Sequence, residues 1–359
     1  MAVPHRPTFE SHGRAAETWH GKLRGASVVL VLAVLLVARE ANAQSAPSVG
    51  PPEPAAAAIE PWLDRTQEQL YDAIWRSAMR IDRWFGSEQG EAVYRRASGS
   101  LAPALLWDRF HRFQSLLRFQ ADVPLPELND RIAGFVGRVN PDEYVTERAE
   151  ESGAFPRQYA LPGEEQTLLG LSYRDRPRPG GHFSGGAGVR VSLPLDPYVK
   201  GSFMYERGAA RSGIFTVRET LFWQNSERLG LTSRLDVGRV LQERWLLQWT
   251  GSATVSQKSE GVRGYTSLTA LRAFALRRAI ALAVGLDGDS KALVPLHEYG
   301  ARVAYRQSVR RDWLVLEART SLLWPKDDPV QPRKPSWGVG VGLEVVFGTH
   351  TFLARPVTF

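Results

Sequence analysis

Cysteine is missing from all 359 residues. Its absence excludes disulfide scaffolds, cysteine-based zinc modules, iron–sulfur ligation and a thiol nucleophile. Long apolar runs are nearly as scarce. The longest, ASVVLVLAVLLVA over residues 26–38, holds thirteen residues and is broken only by Ser27, short of the roughly 20 that a membrane-spanning helix needs. Histidine is sparse: beyond the first 43 residues there are only His111, His182, His297 and His350, with no metal-ligand spacing. Neither a metal site nor a cofactor motif is expected. What is plentiful is glycine and tryptophan, at 32 and 11 residues, together with a net charge of +7. A basic chain suits nucleic acid or anionic lipid, and charge alone does not choose between them.

The amino-terminal segment assigns the compartment. Arg6, Arg14, Lys22 and Arg24 precede the apolar run, and Ala41-Asn42-Ala43 follows it. A basic region, a short apolar core and an A-x-A site in that order describe a secretory signal peptide over residues 1–43. Its removal takes five basic and three acidic residues with it and lowers the net charge from +7 to +5. Residues 44–58 are a Pro/Ala-rich linker without apolar period. From Ile59 the period becomes helical: Leu63, Leu70, Ile74, Ala78, Ile81 and Phe85 recur at steps of three, four and seven, and Gly86 follows as a stop. The expected element is an amphipathic periplasmic helix over 59–86. It either packs on the rest of the protein or lies at a membrane or pore.

Over residues 92–348 the period changes to two. Trp245, Leu247, Trp249, Ala253 and Val255 alternate with Gln248, Thr250, Ser252 and Thr254. Trp337, Val339, Val341, Leu343, Val345 and Phe347 alternate with Gly338, Gly340, Gly342 and Glu344. Such two-faced segments are strands. Strands of a soluble sandwich run about 5 to 6 residues, but these persist for ten to fourteen and close on Trp223, Trp245, Trp313, Trp324, Trp337 and Phe347. Long strands with one apolar face and aromatic ends fit a transmembrane β-barrel with a polar interior. Closure also removes the unpaired edge that an open sheet would expose.

The alternating segments fall at 93–106, 111–123, 130–139, 165–174, 182–194, 197–207, 213–224, 228–240, 244–257, 263–275, 278–287, 297–308, 312–324 and 335–348. The fold class is therefore an all-β, closed antiparallel barrel of 12–14 strands, best count 14. Pro103, Pro194 and Pro197 keep the lower number open. Short and long joins alternate. Outer-membrane barrels have short periplasmic turns and longer external loops, so the strand ending at Phe347-Gly348 finishes in the periplasm, with a tail at 349–359. The charged, proline-rich segment 141–163 reads as an external loop or cap.

IDRWFG at the end of the helix, RFQADVPLP, RVSLPLDPYV, YRQSVRRDWLVLE and the final GLEVVFG together resemble a group of Gram-negative outer-membrane β-barrel proteins with an N-terminal periplasmic helix. The likeness covers most of the chain beyond the leader. Its motifs are architectural, so it implies fold and outer-membrane location and no activity.

A lipid hydrolase is the enzymatic alternative. The segment FWQNSERLGLTSRLD is similar to the serine-bearing segment of outer-membrane phospholipase A, but no histidine lies near Ser226 or Ser233 in the sequence, and a serine without a base is a weak nucleophile. No catalytic residue is therefore assigned. HFSGGAGVRV lacks the lysine and helix of a phosphate loop, and small residues on a strand face account for it. By alternation Arg234, Asp236, Gln248, Arg302, Arg306, Glu317, Arg319 and Glu344 face the lumen. Charges of both signs in such numbers ought to pair. Either they fill a structural barrel of the envelope, or they line a porin-like channel whose arginines favour small polar or anionic solutes. The expected partners are outer-membrane lipid, lipopolysaccharide phosphates and the barrel-insertion machinery, and not nucleic acid.

Overall fold

Period-two alternation becomes strand throughout. The computed structural model describes residues 97–348, apart from 111, 126–128, 130, 149–164, 176–180, 210–212, 242–244, 276 and 310–311. The expected leader, linker, helix and tail lie outside the described residues, as do His111 and His350.

Among the described residues there are fourteen strands: β1 Ser98–Asp108, β2 Arg112–Pro124, β3 Ile132–Val139, β4 Gln166–Arg174, β5 His182–Arg190, β6 Asp196–Ala209, β7 Gly213–Gln224, β8 Arg228–Leu241, β9 Trp245–Ser256, β10 Arg263–Ala275, β11 Arg278–Asp289, β12 Leu296–Ser308, β13 Leu314–Pro325 and β14 Ser336–Phe347. Each pairs antiparallel with its neighbours in sequence. β14 returns to β1 through Gly99↔Phe347 to Asp108↔Gly338, closing the ring. The count is fourteen and not twelve because none of the three prolines breaks a strand. Pro103 stays paired with Leu117 on β2, while the ladder to β14 skips Ala102 and Pro103, as expected of a residue with no N–H to donate. Pro194 falls in the turn 191–195, where Ser192 Oγ donates to its carbonyl at 2.7 Å. β5 therefore stops at Arg190 and does not run to 194.

Closure gives every strand one inner and one outer face, with register shifts only near the ends of the β10–β11 and β11–β12 ladders among the described residues. The polarity of the two faces is the reverse of that in a water-soluble protein. On β7, Thr220 is 1% exposed and its neighbour Leu221 is 55% exposed. Thr232, Thr254, Arg234, Arg306, Glu317 and Glu344 are buried, whereas Leu231, Trp249, Leu268, Val284, Leu322 and Val339 are exposed. Hydroxyl pairs stitch the inner face: Thr220 Oγ1 donates to Ser202 Oγ at 3.1 Å, and the hydroxyls of Thr232 and Thr254 lie 2.9 Å apart. Buried polar groups satisfied in this way carry little of the penalty that unpaired ones incur.

Candidate functional site: the lumen

The segment after β3 does not stay outside the ring. Pro141–Tyr144 forms a single helical turn, α1. Proline opens it where no helical N–H is needed, and Tyr144 and Val145 donate to the carbonyls of Asn140 and Pro141 at 3.0 and 2.7 Å. The Tyr144 ring stacks on Phe135 of β3, with centroids 4.0 Å apart, and meets Tyr198 of β6 edge-on at 6.2 Å. Val145 is fully buried with Val139, Leu168 and Phe222. Each such side chain removed from water stabilises the placement by roughly 1.5–3 kcal/mol.

Charge then ties this segment to several strands. Arg118 of β2 meets Glu143 at 3.2 Å and Glu165 at 3.3 Å. Lys200 Nζ of β6 donates to Glu147 Oε1 at 2.7 Å and to the Tyr144 carbonyl. Arg218 and Thr220 of β7 both reach Glu147 Oε2 at 3.3 Å. Burial alone would push the Glu147 carboxyl up; Lys200 and Arg218 outweigh it and hold the group at about 2. The Tyr144 phenol, mainly through burial, is pushed well above its ordinary range. Arg148 pairs with Asp287 of β11. Strands β4 and β11 lie seven steps apart in the fourteen-strand ring, so residues 140–148 reach from one wall to the opposite one. The expectation of an external loop or cap over 141–163 is thus corrected for its described part, which turns inward. Opposite charges on the wall offset the desolvation of Glu143, Glu147 and Arg148 and draw them in.

The eight residues singled out by alternation occupy the buried face or its partly buried margins and fall into two groups. On β8 and β9, Arg234 pairs with Asp236 at 2.8 Å, and Thr250 and Gln248 donate to the same carboxylate at 2.6 and 3.4 Å. On β12 to β14, Arg302 meets Glu298 at 3.2 Å, while Arg306 lies 3.7 Å from Glu317 and also bonds Glu344. Arg319 lies opposite Ala304 on the same face. Arg118, Glu143, Glu147, Arg148, Lys200, Arg218 and Asp287 are not among those eight. For the four strand residues among them, occupancy of inner-face positions was the available signal.

Of the aromatics, Trp223, Trp324 and Trp337 sit on the outer face at the end bearing the 140–165 connection. Trp337 packs on Trp107 at 4.6 Å and Trp324 stacks on Tyr299 at 5.5 Å. Trp245 opens β9 at the other end, where Trp313 lies in a turn. Phe347, also at that end, is 3% exposed, and a Cβ on Gly99 would come within 2.6 Å of its ring. Ser226 Oγ donates to Asp196 at 2.7 Å, and that carboxylate also pairs with Arg190. Ser233 Oγ donates to Glu219 at 2.6 Å on the outer face. Among the described residues neither serine has a histidine partner, and no cluster of histidine and carboxylate fit to hold a metal occurs.

No family model and no curated protein matches the chain. Solved structures similar to it include the outer membrane channel DcaP of Acinetobacter baumannii, at 8% identity over 70% of this chain and 96% of that one, with a TM-score of 0.45. OprB of Pseudomonas putida is similar at 10% identity over 73% and 97%, with a TM-score of 0.46. An anion-selective porin from Comamonas acidovorans shares 10% identity over 70% and 98%, with a TM-score of 0.42.

Proposed function

We propose that the protein is an integral outer-membrane barrel that passes small polar solutes, anions in preference, through a lumen narrowed by residues 140–148. The observation that carries this reading is the inverted polarity of a closed ring: Leu221 and its outward neighbours need an apolar medium, and Thr220, Arg234 and Glu317 do not. In this reading Arg234, Asp236, Gln248, Arg302, Arg306, Glu317, Arg319 and Glu344 line the lumen. Trp223, Trp245, Trp313, Trp324, Trp337 and Phe347 lie at the bilayer boundaries. Lipid, lipopolysaccharide and the insertion machinery are its partners after export behind a cleaved leader. The basic wall groups Arg118, Lys200 and Arg218 supply the anion preference.

A filled structural barrel is the second reading, favoured by the ties of Glu143, Glu147 and Arg148 to strands around the ring. Planar-bilayer conductance separates the two. Channel function predicts resolvable single-channel current, with anion preference reduced in Lys200→Ala and Arg218→Ala. No current from folded, heat-modifiable protein, with both variants also silent, would sink the channel and leave the filled barrel. Turnover of phospholipid or lipid A, with Ser226→Ala as control, tests the hydrolase separately; none is expected.

A further inference from the structure

Charge on the outer wall is distributed unevenly. By register, the arginines facing outward among the described residues are Arg138, Arg207, Arg239, Arg272 and Arg278, and the one outward carboxylate is Glu219, midway along β7. Four of the five arginines stand within about four residues of a turn at the same end of the barrel, on strands β6 to β11. At that end the outer wall also has a hollow of about 340 Å³ lined by Leu241, Trp245, Leu246, Leu247 and Ala270, within the roughly 300–1,000 Å³ range of small-molecule sites.

Two arginines frame this hollow. Arg239 is opposite Leu247, which is opposite Ala270; Leu241 is opposite Trp245, which is opposite Arg272. Two strand spacings of about 4.8 Å separate β8 from β10, so both side chains can reach one anion above the hollow. The Arg272 guanidinium lies over Trp245 and Phe274, 5.3 and 5.1 Å from the ring centroids. Its Nε is shielded from solvent without a hydrogen-bond partner among the described residues. A cation held on aromatic rings beside an apolar hollow calls for a ligand with an anionic head and an apolar tail.

We propose that Arg239 and Arg272 bind the phosphate of an anionic glycerophospholipid whose acyl chain lies in the hollow beside Trp245. The site is at the short-turn end, which faces the periplasm in barrels of this kind, so the occupant comes from the phospholipid leaflet and not from lipopolysaccharide. This inference rests on the membrane reading above. Native mass spectrometry of the folded full chain in detergent tests it, with phosphatidylglycerol, phosphatidylcholine of the same chains, and lipid A as probes. Phosphatidylglycerol is expected to be retained over phosphatidylcholine by on the order of tenfold. The R239Q/R272Q double variant should bring the two to parity, and R138Q, at the opposite end, should not. Equal retention of the two by the unaltered protein, an unchanged preference in R239Q/R272Q, or stronger retention of lipid A than of phosphatidylglycerol would each overturn the site. Failure of the membrane reading would show differently, as no lipid of any class retained and no heat-modifiable band.

Discussion

The inner wall of β12 to β14 and the inner wall of β2, β6 and β7 hold buried cations in two different ways. On the first, Arg302 meets Glu298 on its own strand, and Arg306 meets Glu317 and Glu344 on β13 and β14. Those carboxylates are fixed by the same ladder that fixes the arginines. On the second, Arg118, Lys200 and Arg218 meet Glu143 and Glu147, which belong to a connecting segment. The carboxylates are therefore built into the register on one side, while on the other those of Glu143 and Glu147 are supplied by residues 140–148, with Glu165 as a further partner of Arg118. The first wall is suited to stability, and in the channel reading proposed above the second is where solute access would be altered without unmaking the barrel.

The comparison breaks most visibly at Glu344. Glu344→Gln leaves the buried Arg306 with Glu317 at 3.7 Å as its remaining short-range counter-charge on the adjoining strand. Removing one member of a buried pair typically costs about 3–5 kcal/mol. The urea midpoint of the detergent-folded barrel should fall accordingly, and the heat-modifiable band should be lost at a lower temperature. A cost no greater than that of Glu147→Gln would show that the two walls do not differ.

Glu147→Gln should act on passage more than on stability. Without the carboxylate charge the ion pairs of Lys200 and Arg218 with Glu147 are lost, while Lys200 keeps its bond to the Tyr144 carbonyl, so single-channel conductance should rise and anion preference should increase. The pH dependence has a definite sign. A free carboxyl titrates near 4.5, whereas this one is held at about 2, so its contribution is fully present above about 4.5 and is lost as pH falls through about 2. Conductance of the unaltered protein should not change through Glu147 between pH 5 and 8 and should step up below about pH 3, and Glu147→Gln should lack that step. A step near pH 4.5 in the unaltered protein would mean that Lys200 and Arg218 do not hold the carboxylate.

The ring was legible in the sequence because each strand faces two media, and alternation such as Trp245 to Val255 is the direct imprint of that difference. The glycines of HFSGGAGVRV were legible as crowding, and crowding is what they meet: a Cβ on Gly188 would lie 2.7 Å from the Tyr198 hydroxyl. The inward turn of 140–148 was not legible. Proline and charge mark a segment as polar, and opposite charges on a lumen wall can satisfy that in place of water. Its partners are also remote, Lys200 and Arg218 lying 53 and 71 residues from Glu147, and no local period encodes pairing at such distances. Strand positions of Arg306 and Glu344 could be read from alternation, but their meeting across β13 depends on register, which alternation fixes only to within a step of two.

The smallest effect is expected where the same chemistry is exposed. Arg277 and Asp312 lie 2.9 Å apart in neighbouring turns, with side chains 51% and 65% exposed. Water solvates both ions whether or not they pair, so an exposed bridge contributes only about 0–1 kcal/mol, and salt near 1 M shortens the screening length to about 3 Å. Asp312→Asn should therefore shift the urea midpoint little, and the remaining shift should vanish in high salt, whereas the Glu344→Gln penalty should persist there because solvent ions do not enter a site whose side chains are about 3–6% exposed. If Asp312→Asn proved as costly as Glu344→Gln, or if salt erased both penalties alike, burial would not be what separates the built-in pairs of β12 to β14 from the others, and the division between a structural wall and an adjustable one would fail with it.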